Sequence, residues 1–340
     1  MSDFQTVSGF EDVWRPPVRL RIVRPPELLG RSSAAAVRAR LVRIANRAPE
    51  VMVKVTGRTR DPAHLRAHLD YISRNGQLDL EGPDGTLVSG RSEVADLARD
   101  WATAAEADTG RRANSPVSLS VVLSMPAGTS EIALRDAARA FSAETFGEQH
   151  DYVFTLHTDT PRPHVHLSVA TRGRDGERLN PKKANLEAWR QTFAQALRDR
   201  GVEAEATPRR ARGVTRKPER MALRQMRERH EAGRGAVARV QRAAWHEASK
   251  AAFGSDAHRP LWETHLLARQ TAIRNLWLDQ ARLLMESPDP QDRALGARTV
   301  AFVRAMPTPD TQRLAMAREL RAMANERGHE PISPGKNRER

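Results

Sequence analysis

Hydrophobic and polar positions along the chain follow two periods, and each period predicts a different element. Residues 50–58, EVMVKVTGR, place a valine at every second position, which predicts a strand with one buried face. Residues 61–76, DPAHLRAHLDYISRNG, place apolar side chains three or four apart, which predicts a helix. The Asp-Pro pair suits the N-cap and the first helical position, and the Asn-Gly pair suits the end.

The same patterns continue to about residue 207. They predict, in order, a hairpin at 78–90, a helix at 92–109, a strand at 115–126, a helix at 130–145, strands at 151–159 and 164–172, and a helix at 186–200. Strands and helices mixed in this order, with neighbouring strands close in sequence, favour the α+β class. We therefore expect a central antiparallel sheet flanked by helices.

Composition divides the chain into four parts. Residues 1–49, with Pro and Arg scattered around one short helix-like stretch, resemble a basic, mostly flexible arm; residues 50–207 form the α+β domain. Residues 208–328 are Arg-rich and helix-like throughout, which predicts an all-α C-terminal extension, and residues 329–340 resemble a disordered tail. Within the extension, we expect the tryptophans at 245, 262 and 277 in the core, because leucine and alanine surround them at helical spacing.

Charge and composition limit the classes of partner and the residue types that could bind a metal. Lys plus Arg number 56 against 42 Asp plus Glu, a formal net charge of +14, which favours a phosphate-rich partner such as nucleic acid. No apolar run approaches the roughly 20 residues of a spanning helix, so membrane insertion is not expected. No secretory signal is recognisable, so we expect a cytoplasmic location. The chain has no cysteine, so a metal must bind through His, Asp, Glu or backbone oxygen.

One short segment concentrates histidines. Residues 157–168, HTDTPRPHVHLS, hold three of the chain's 11 histidines. His164 and His166 are two apart on a strand and so share a face, and His157 joins them if the preceding strand pairs as a hairpin. Three imidazoles on one face form a site for a divalent cation with positions left open, and Asp159 either orients an imidazole or accepts a proton. The alternative is three histidines on a solvated sheet face.

The two tyrosines have different settings. Tyr152 falls on the predicted apolar face of the histidine hairpin, which places it in the core. Tyr71 lies with His64 and His68 on a polar face of the helix at 61–76, beside the core stripe. A phenol near a metal site on a basic protein suggests attack on a phosphodiester. Because only about one tyrosine in a thousand is ionised at neutral pH, a base or cation must assist. The alternative to a nucleophile, for Tyr71 taken alone, is an amphipathic tyrosine that lies at the margin of the core. His64 and His68 either help at the site or cover the helix.

Three motifs, in this order, resemble the P-type (MOBP) mobilisation relaxases of the HUH endonuclease superfamily. The helix ending in HLDYISR resembles the nucleophile motif and aligns its tyrosine with Tyr71. Residues 118–128, SLSVVLSMPAG, are similar to the second motif. The third motif, H-x-D-x4-H-x-H, is matched by His157, Asp159, His164 and His166. The resemblance covers about residues 50–215.

The resemblance implies both a fold and an activity. The expected fold is a five-stranded antiparallel sheet, and the expected activity is a site- and strand-specific nick at an origin of transfer that initiates plasmid or integrative-element mobilisation. Tyr71 would attack the scissile phosphate and stay joined to the 5′ end, Mg²⁺ or Mn²⁺ on the three histidines would polarise the phosphate, and Asp159 would orient an imidazole or act as base. Neither ATPase nor helicase activity is expected.

The resemblance also implies the partners. These are single-stranded and flanking duplex DNA at the transfer origin, accessory relaxosome proteins, and the coupling protein of a type IV secretion system. Two alternatives stay open at the level of the sequence. One is a rolling-circle replication initiator of the same superfamily, in many of which the tyrosine follows the histidines. The other is a non-catalytic basic DNA-binding accessory protein.

Overall fold

The protein consists of two compact units. A computed structural model describes residues 4–14, 33–112, 114–216, 218–254 and 259–328. The first unit, the sheet unit, ends at Thr207; the second, the helical unit, comprises Val7–Trp14 and the residues from Pro208 onwards. The tail predicted for residues 329–340 and residues 15–32 of the predicted arm lie outside the described residues. Among the described helices, none has the length and apolar character needed to cross a membrane.

The sheet unit is built on six antiparallel strands. They are β1 (Met52–Thr59), β2 (Leu80–Glu81), β3 (Leu87–Val88), β4 (Ser118–Ser124), β5 (Tyr152–His157) and β6 (His164–Ala170). Their order in the sheet is β1-β4-β6-β5-β2-β3. The predicted class and antiparallel sheet are confirmed, but the expected number of five strands is wrong. The short hairpin β2–β3 joins the sheet because Glu81 pairs with Phe154 of β5.

Helices cover the two faces of the sheet differently. α4 (Glu131–Phe146) and α5 (Lys183–Arg198) belong to the core that includes Val121, Leu167 and Phe141 on one face. On the other face α2 (Pro62–Ile72) and α3 (Gly90–Glu106) form a smaller core with Val153 of β5. Val153 therefore faces α2 while Phe154 faces α4, which is the alternation that the sequence predicts.

Part of the region predicted as an arm packs into the sheet unit. Helix α1 (Ala34–Ala45) buries Val37, Leu41 and Ile44. Arg40 and Arg43 pair with the buried carboxylate of Glu205. The backbone of Glu205 forms a parallel β-bridge with that of Glu50. The 12 residues of α1 are thus tied to the end of the same unit by both apolar burial and ion pairs.

The helical unit contains α6 (Met221–Glu231), α7 (Arg239–Phe253), α8 (Leu261–Met285), α9 (Pro290–Arg304) and α10 (Gln312–Gly328). Its centre is Trp277, which is fully buried and donates its indole hydrogen to the Ala211 carbonyl at 3.0 Å. The 3-10 turn Phe10–Val13 packs here too, since the ring centroids of Phe10 and Trp14 lie 5.2 and 5.8 Å from that of Trp277. The expected burial is wrong for Trp245 and Trp262, which are 50% and 56% exposed. Helical spacing identifies a face but not whether another helix covers it.

Candidate metal centre and nucleophile

The pairing of β5 with β6 brings the three histidines together. His157 lies directly opposite His164, and Thr155 lies opposite His166, so all three imidazoles project from the same face. The ring centroids are 4.5, 5.0 and 5.4 Å apart. One ring nitrogen from each residue lies within 4.8 Å of the others. The predicted common face is confirmed, and it depends on register because a slip of one residue would turn a strand's histidines to the other face.

Backbone carbonyls orient two of the imidazoles. Nε2 of His157 lies 2.7 Å from the carbonyl oxygen of Ile72, and Nδ1 of His164 lies 3.2 Å from that of Arg162. A carbonyl only accepts, so each of these nitrogens donates its hydrogen and the other nitrogen of the ring keeps a lone pair. The Ile72 carbonyl is among the last carbonyls of α2, which lack a helical donor, so His157 also satisfies the helix end. The remaining ring nitrogens are those that a cation needs, and that of His157, Nδ1, also lies 3.4 Å from Nη2 of Arg74.

The third imidazole shows that the cluster fits a cation. Nε2 of His166 is buried and has no hydrogen-bond partner among the described residues. Burial, followed by the charges of His157 and His164, lowers the pKa of His166 to about 3, and burial also lowers the pKa of His157. These two rings are therefore neutral at pH 7, with no proton competing for their lone pairs. A buried nitrogen without a partner, between two imidazoles that backbone carbonyls orient, suits a divalent cation.

Tyr71 stands at the edge of this cluster. Its ring meets that of His166 edge-on, with centroids 5.7 Å apart and planes at 89°, and its centroid lies 6.4 Å from that of His157. The side chain is 57% exposed, whereas Tyr152 is 2% exposed in the core. The opposite side of α2 is fully buried through Leu65, Leu69 and Ile72. Tyr71 is thus held next to the histidines by a helix that is anchored through its other face.

Asp159 lies near the cluster, but no hydrogen bond joins it to an imidazole in the described part of the chain. Its side chain pairs with Arg74, whose Nη2 also lies 3.4 Å from Nδ1 of His157. Desolvation acts to raise the pKa of Asp159, but the hydrogen bond and charge of Arg74 outweigh it and lower the pKa below its usual value. The carbonyls of Ile72 and Arg162 occupy the orienting role expected of Asp159. Paired with a cation and held ionised, Asp159 is also poorly suited to take up a proton.

Arg74 lies at the site although no sequence pattern indicates it. After α2 and its C-cap Ser73, three consecutive residues are left-handed, namely Arg74, Asn75 and Gly76, with φ of 53°, 58° and 82°. For Gly76 the requirement is steric as well, since a Cβ there would lie 2.5 Å from the amide nitrogen of Arg91. The left-handed conformation costs a residue with a Cβ roughly 1–2 kcal/mol, least for asparagine. The Asn-Gly pair predicts the turn, but no local pattern predicts that the turn places the side chain of Arg74 beside the histidines.

Of the two helix histidines, the structure brings one towards the cluster. His68 lies 3.0 Å from the hydroxyl of Ser120 through Nε2, and burial lowers its pKa. Its charge also lowers the pKa of His166, although less than the neighbouring histidines do. His64 is exposed on the first turn of α2, where it pairs with the N-cap Asp61. Covering the helix end is therefore the better description of His64.

Comparison with known proteins finds a family whose profile matches part of this chain. The profile of the family described as relaxase, MobA/VirD2-like, nuclease domain, matches residues 79–202. This range contains the three histidines and Asp159, and Tyr71 lies eight residues before its start.

Named relatives agree with the profile. The T-DNA border endonuclease VirD2 of Agrobacterium fabrum (strain C58 / ATCC 33970) is 28% identical over 188 residues, which is 50% of this chain and 42% of that protein. The proteins of the same name from Rhizobium radiobacter and Rhizobium rhizogenes are each 27% identical over 50% of this chain, covering 44% and 43% of their own lengths. The match therefore spans less than half the length of these relatives.

A solved structure described as "Molecular Basis of Vancomycin Resistance Transfer in Staphylococcus aureus" aligns with 47% of this chain and 99% of its own, at 14% identity and a TM-score of 0.33. A likeness of that size supports no conclusion about fold or function. The profile match and the sequence relatives do support one: residues 79–202 are similar to the nuclease domain of the MobA/VirD2-like relaxases, which supports the P-type relaxase that the motifs resemble.

Proposed function

We propose that this protein nicks one strand of DNA at an origin of transfer and holds the cut end covalently, so that mobilisation of the DNA can begin. The observation that carries the proposal is the convergence of an exposed phenol, Tyr71, with three clustered imidazoles. The family match supports a DNA-nicking enzyme, and the net charge of +14 suits a polyanionic substrate.

The proposed reaction is a transesterification at one phosphodiester. The phenol oxygen of Tyr71 attacks phosphorus, the bond between phosphorus and the 3′ oxygen breaks, and that oxygen departs as a 3′ hydroxyl carrying the proton that the phenol gives up. The phosphate is then joined to Tyr71 and to the 5′ end of the cut strand. Because one ester replaces another, a 3′ hydroxyl can reverse the step and reseal the strand.

His157, His164 and His166 would hold the cation that this reaction uses. A bound divalent cation would withdraw charge from the phosphate oxygens and stabilise the transition state. Three imidazole nitrogens favour Mn²⁺ or a similar transition metal over Mg²⁺, which prefers oxygen ligands. We therefore expect Mn²⁺ to support activity at a lower concentration than Mg²⁺.

The family match and the charge support the proposed substrates and partners. The exposed Tyr71, at the edge of the histidine cluster, suits a single strand at the nick. The Arg-rich helical unit suits flanking duplex DNA. Accessory relaxosome proteins and the coupling protein of a type IV secretion system are the proposed protein partners, and the cytoplasm is the proposed place of the reaction. The curated relatives are named T-DNA border endonucleases, a name that also describes cleavage of DNA.

A gel assay for a covalent protein–DNA adduct tests this function. Single-stranded oligonucleotides tiled across DNA adjacent to the gene are incubated with wild type, Tyr71→Phe and His164→Ala, with EDTA, Mg²⁺ or Mn²⁺. Tyr152→Phe is the matched control because it alters the only other tyrosine, which is buried in the core. We expect an adduct that requires Tyr71, His164 and metal but not Tyr152. Retarded but unlinked DNA would instead identify a non-catalytic binding protein, and an adduct confined to oligonucleotides from a replication origin would identify an initiator.

A further inference from the structure

The chain from Tyr71 to Arg74 supplies more than a nucleophile. Within four residues it presents the phenol of Tyr71, the Ile72 carbonyl that orients His157, and the guanidinium of Arg74 beside the same imidazole. The three groups converge on one side of the histidine cluster because α2 ends there and the left-handed turn redirects the backbone. Arg74 is therefore placed by the same element that places the nucleophile.

Stability does not explain why an arginine stands at this position. Arg74 and Asp159 are 38% and 53% exposed, and ion pairs at such exposure contribute little to stability. The backbone of Arg74 is left-handed, a conformation that glycine or asparagine adopts more readily. A strained residue whose side chain adds little stability points to a role in function.

The unused donors of Arg74 define that role. Nη2 serves both Asp159 and His157, while Nε and Nη1 have no hydrogen-bond partner in the described part of the chain. A guanidinium presents its donors in a planar fork that matches two phosphate oxygens, and one held on a carboxylate keeps its orientation. An oriented cation with free donors, next to a cation site and a nucleophile, suits an anionic group bound between them.

We propose that Arg74 is a catalytic residue that binds a nonbridging oxygen of the scissile phosphate, and that Asp159 is the positioning residue that holds its guanidinium. The inference rests on the proposed nicking function. Arg74 transfers no atom; its donors balance the negative charge that grows on the phosphate oxygens while the bond to Tyr71 forms and the bond to the 3′ oxygen breaks. Asp159 thereby influences the site through Arg74 rather than through an imidazole or a proton.

Single-turnover adduct formation at saturating oligonucleotide and Mn²⁺ is the first test. We expect Arg74→Gln to slow adduct formation about 100-fold or more, the effect of removing one charged donor from a transition state, and Arg74→Lys to slow it about tenfold. Arg174→Gln is the matched control. Arg174 forms a more exposed pair with Asp151, at 53% and 56%, and Asp151 lies at the other end of β5, roughly 20 Å from His157. We expect that variant to react within about twofold of wild type.

Asp159→Asn separates positioning from catalysis. We expect it to slow the reaction about tenfold, and the double variant Arg74→Gln, Asp159→Asn to be no slower than Arg74→Gln alone, because two residues that act as one unit are not additive. Independent, multiplying effects would overturn the positioning role.

Sulfur substitution at the scissile phosphate tests the contact itself. Each phosphorothioate diastereomer replaces one nonbridging oxygen. We expect one diastereomer to slow wild type and to slow Arg74→Gln much less, since the contact it disrupts is already absent. Equal sulfur effects in wild type and Arg74→Gln for both diastereomers would overturn the proposal.

Binding of Mn²⁺ to the protein without DNA provides a readout other than activity. We expect Arg74→Gln to bind Mn²⁺ as tightly as wild type or more tightly, because a positive charge has been removed beside His157. Weaker Mn²⁺ binding in parallel with slower adduct formation would mean that Arg74 supports the cation site instead, and would overturn the phosphate contact. If wild type itself forms no Tyr71-dependent adduct, the proposed function fails and this inference with it. If wild type forms the adduct and Arg74→Gln matches it, only the inference fails.

Discussion

Replacing His166 by glutamine should change how the stability of the sheet unit depends on pH. In the folded protein, burial lowers the pKa of His166 to about 3, whereas in the unfolded chain the same residue titrates near its ordinary value of 6.5. Between these values the unfolded state binds one more proton, so the stability contributed by the neutral ring is present above pH 6.5 and lost as pH falls. The slope is about 1.4 kcal/mol per pH unit.

The size of the effect follows from the two pKa values. Allowing for half-protonation of the unfolded chain at about pH 6.5, wild type loses about 2 kcal/mol through His166 between about pH 6.5 and 4.5. Glutamine does not titrate, so His166→Gln avoids this part of the loss. The stability difference, wild type minus variant, should therefore fall by about 2 kcal/mol over this range. His157, whose pKa is also lowered, titrates in both proteins and cancels from the difference to first order.

Oxidation of buried methionines by peroxide, followed along a urea series with EDTA present, measures this stability for each unit separately. Met125 is 2% exposed in the core of the sheet unit and becomes reactive when that unit unfolds. Met306 is 8% exposed in the helical unit and reports that unit in the same sample. A difference at Met125 that is constant with pH, or that grows on acidification, would refute the proposed burial of a neutral His166.

Three further outcomes test the same description of the molecule. With EDTA left out of the assay, Mn²⁺ at about 100 times its dissociation constant should stabilise the sheet unit by about 2.7 kcal/mol, seen as a later oxidation midpoint at Met125, and His157→Ala should abolish this shift. Gly76→Ala should destabilise the sheet unit by at least about 2 kcal/mol in the same assay, because its Cβ would meet the backbone at 2.5 Å and its φ is +82°; wild-type stability would contradict this close approach of the two backbone segments. Trp277→Ala should cost the helical unit about 3–5 kcal/mol through loss of its buried ring, measured by urea titration at Met306, and a loss below about 1 kcal/mol would show that the ring is not central.

The parts of the site that local periodicity controls could be predicted from the sequence. The two-residue spacing of His164 and His166 fixed their common face, and the spacing along α2 separated Tyr71 from the buried stripe. The order of the elements was sufficient for an antiparallel α+β unit. In each case the relevant neighbours are close in sequence or follow directly from strand pairing.

Contacts between distant residues could not be predicted in this way. Arg74 and Asp159 are 85 residues apart, and they meet only because three left-handed residues turn the chain after α2. The Ile72 carbonyl that orients His157 leaves no trace in the sequence, since every residue has a carbonyl. The docking of α1 depends in the same way on Glu205, which lies far along the chain at the other end of the sheet unit.

The membership of Val7–Trp14 in the helical unit has a consequence for synthesis of the protein. Phe10 and Trp14 pack on Trp277, which leaves the ribosome about 260 residues later. At about 5–20 residues per second, these aromatic side chains wait roughly 13–50 s for their partner, while the intervening sheet unit can already fold. A fragment that ends at Thr207 never receives the partner and keeps the apolar side chains of Phe10, Val13 and Trp14 uncovered, so a fragment that begins at residue 33 should be the less aggregation-prone form of the nuclease domain.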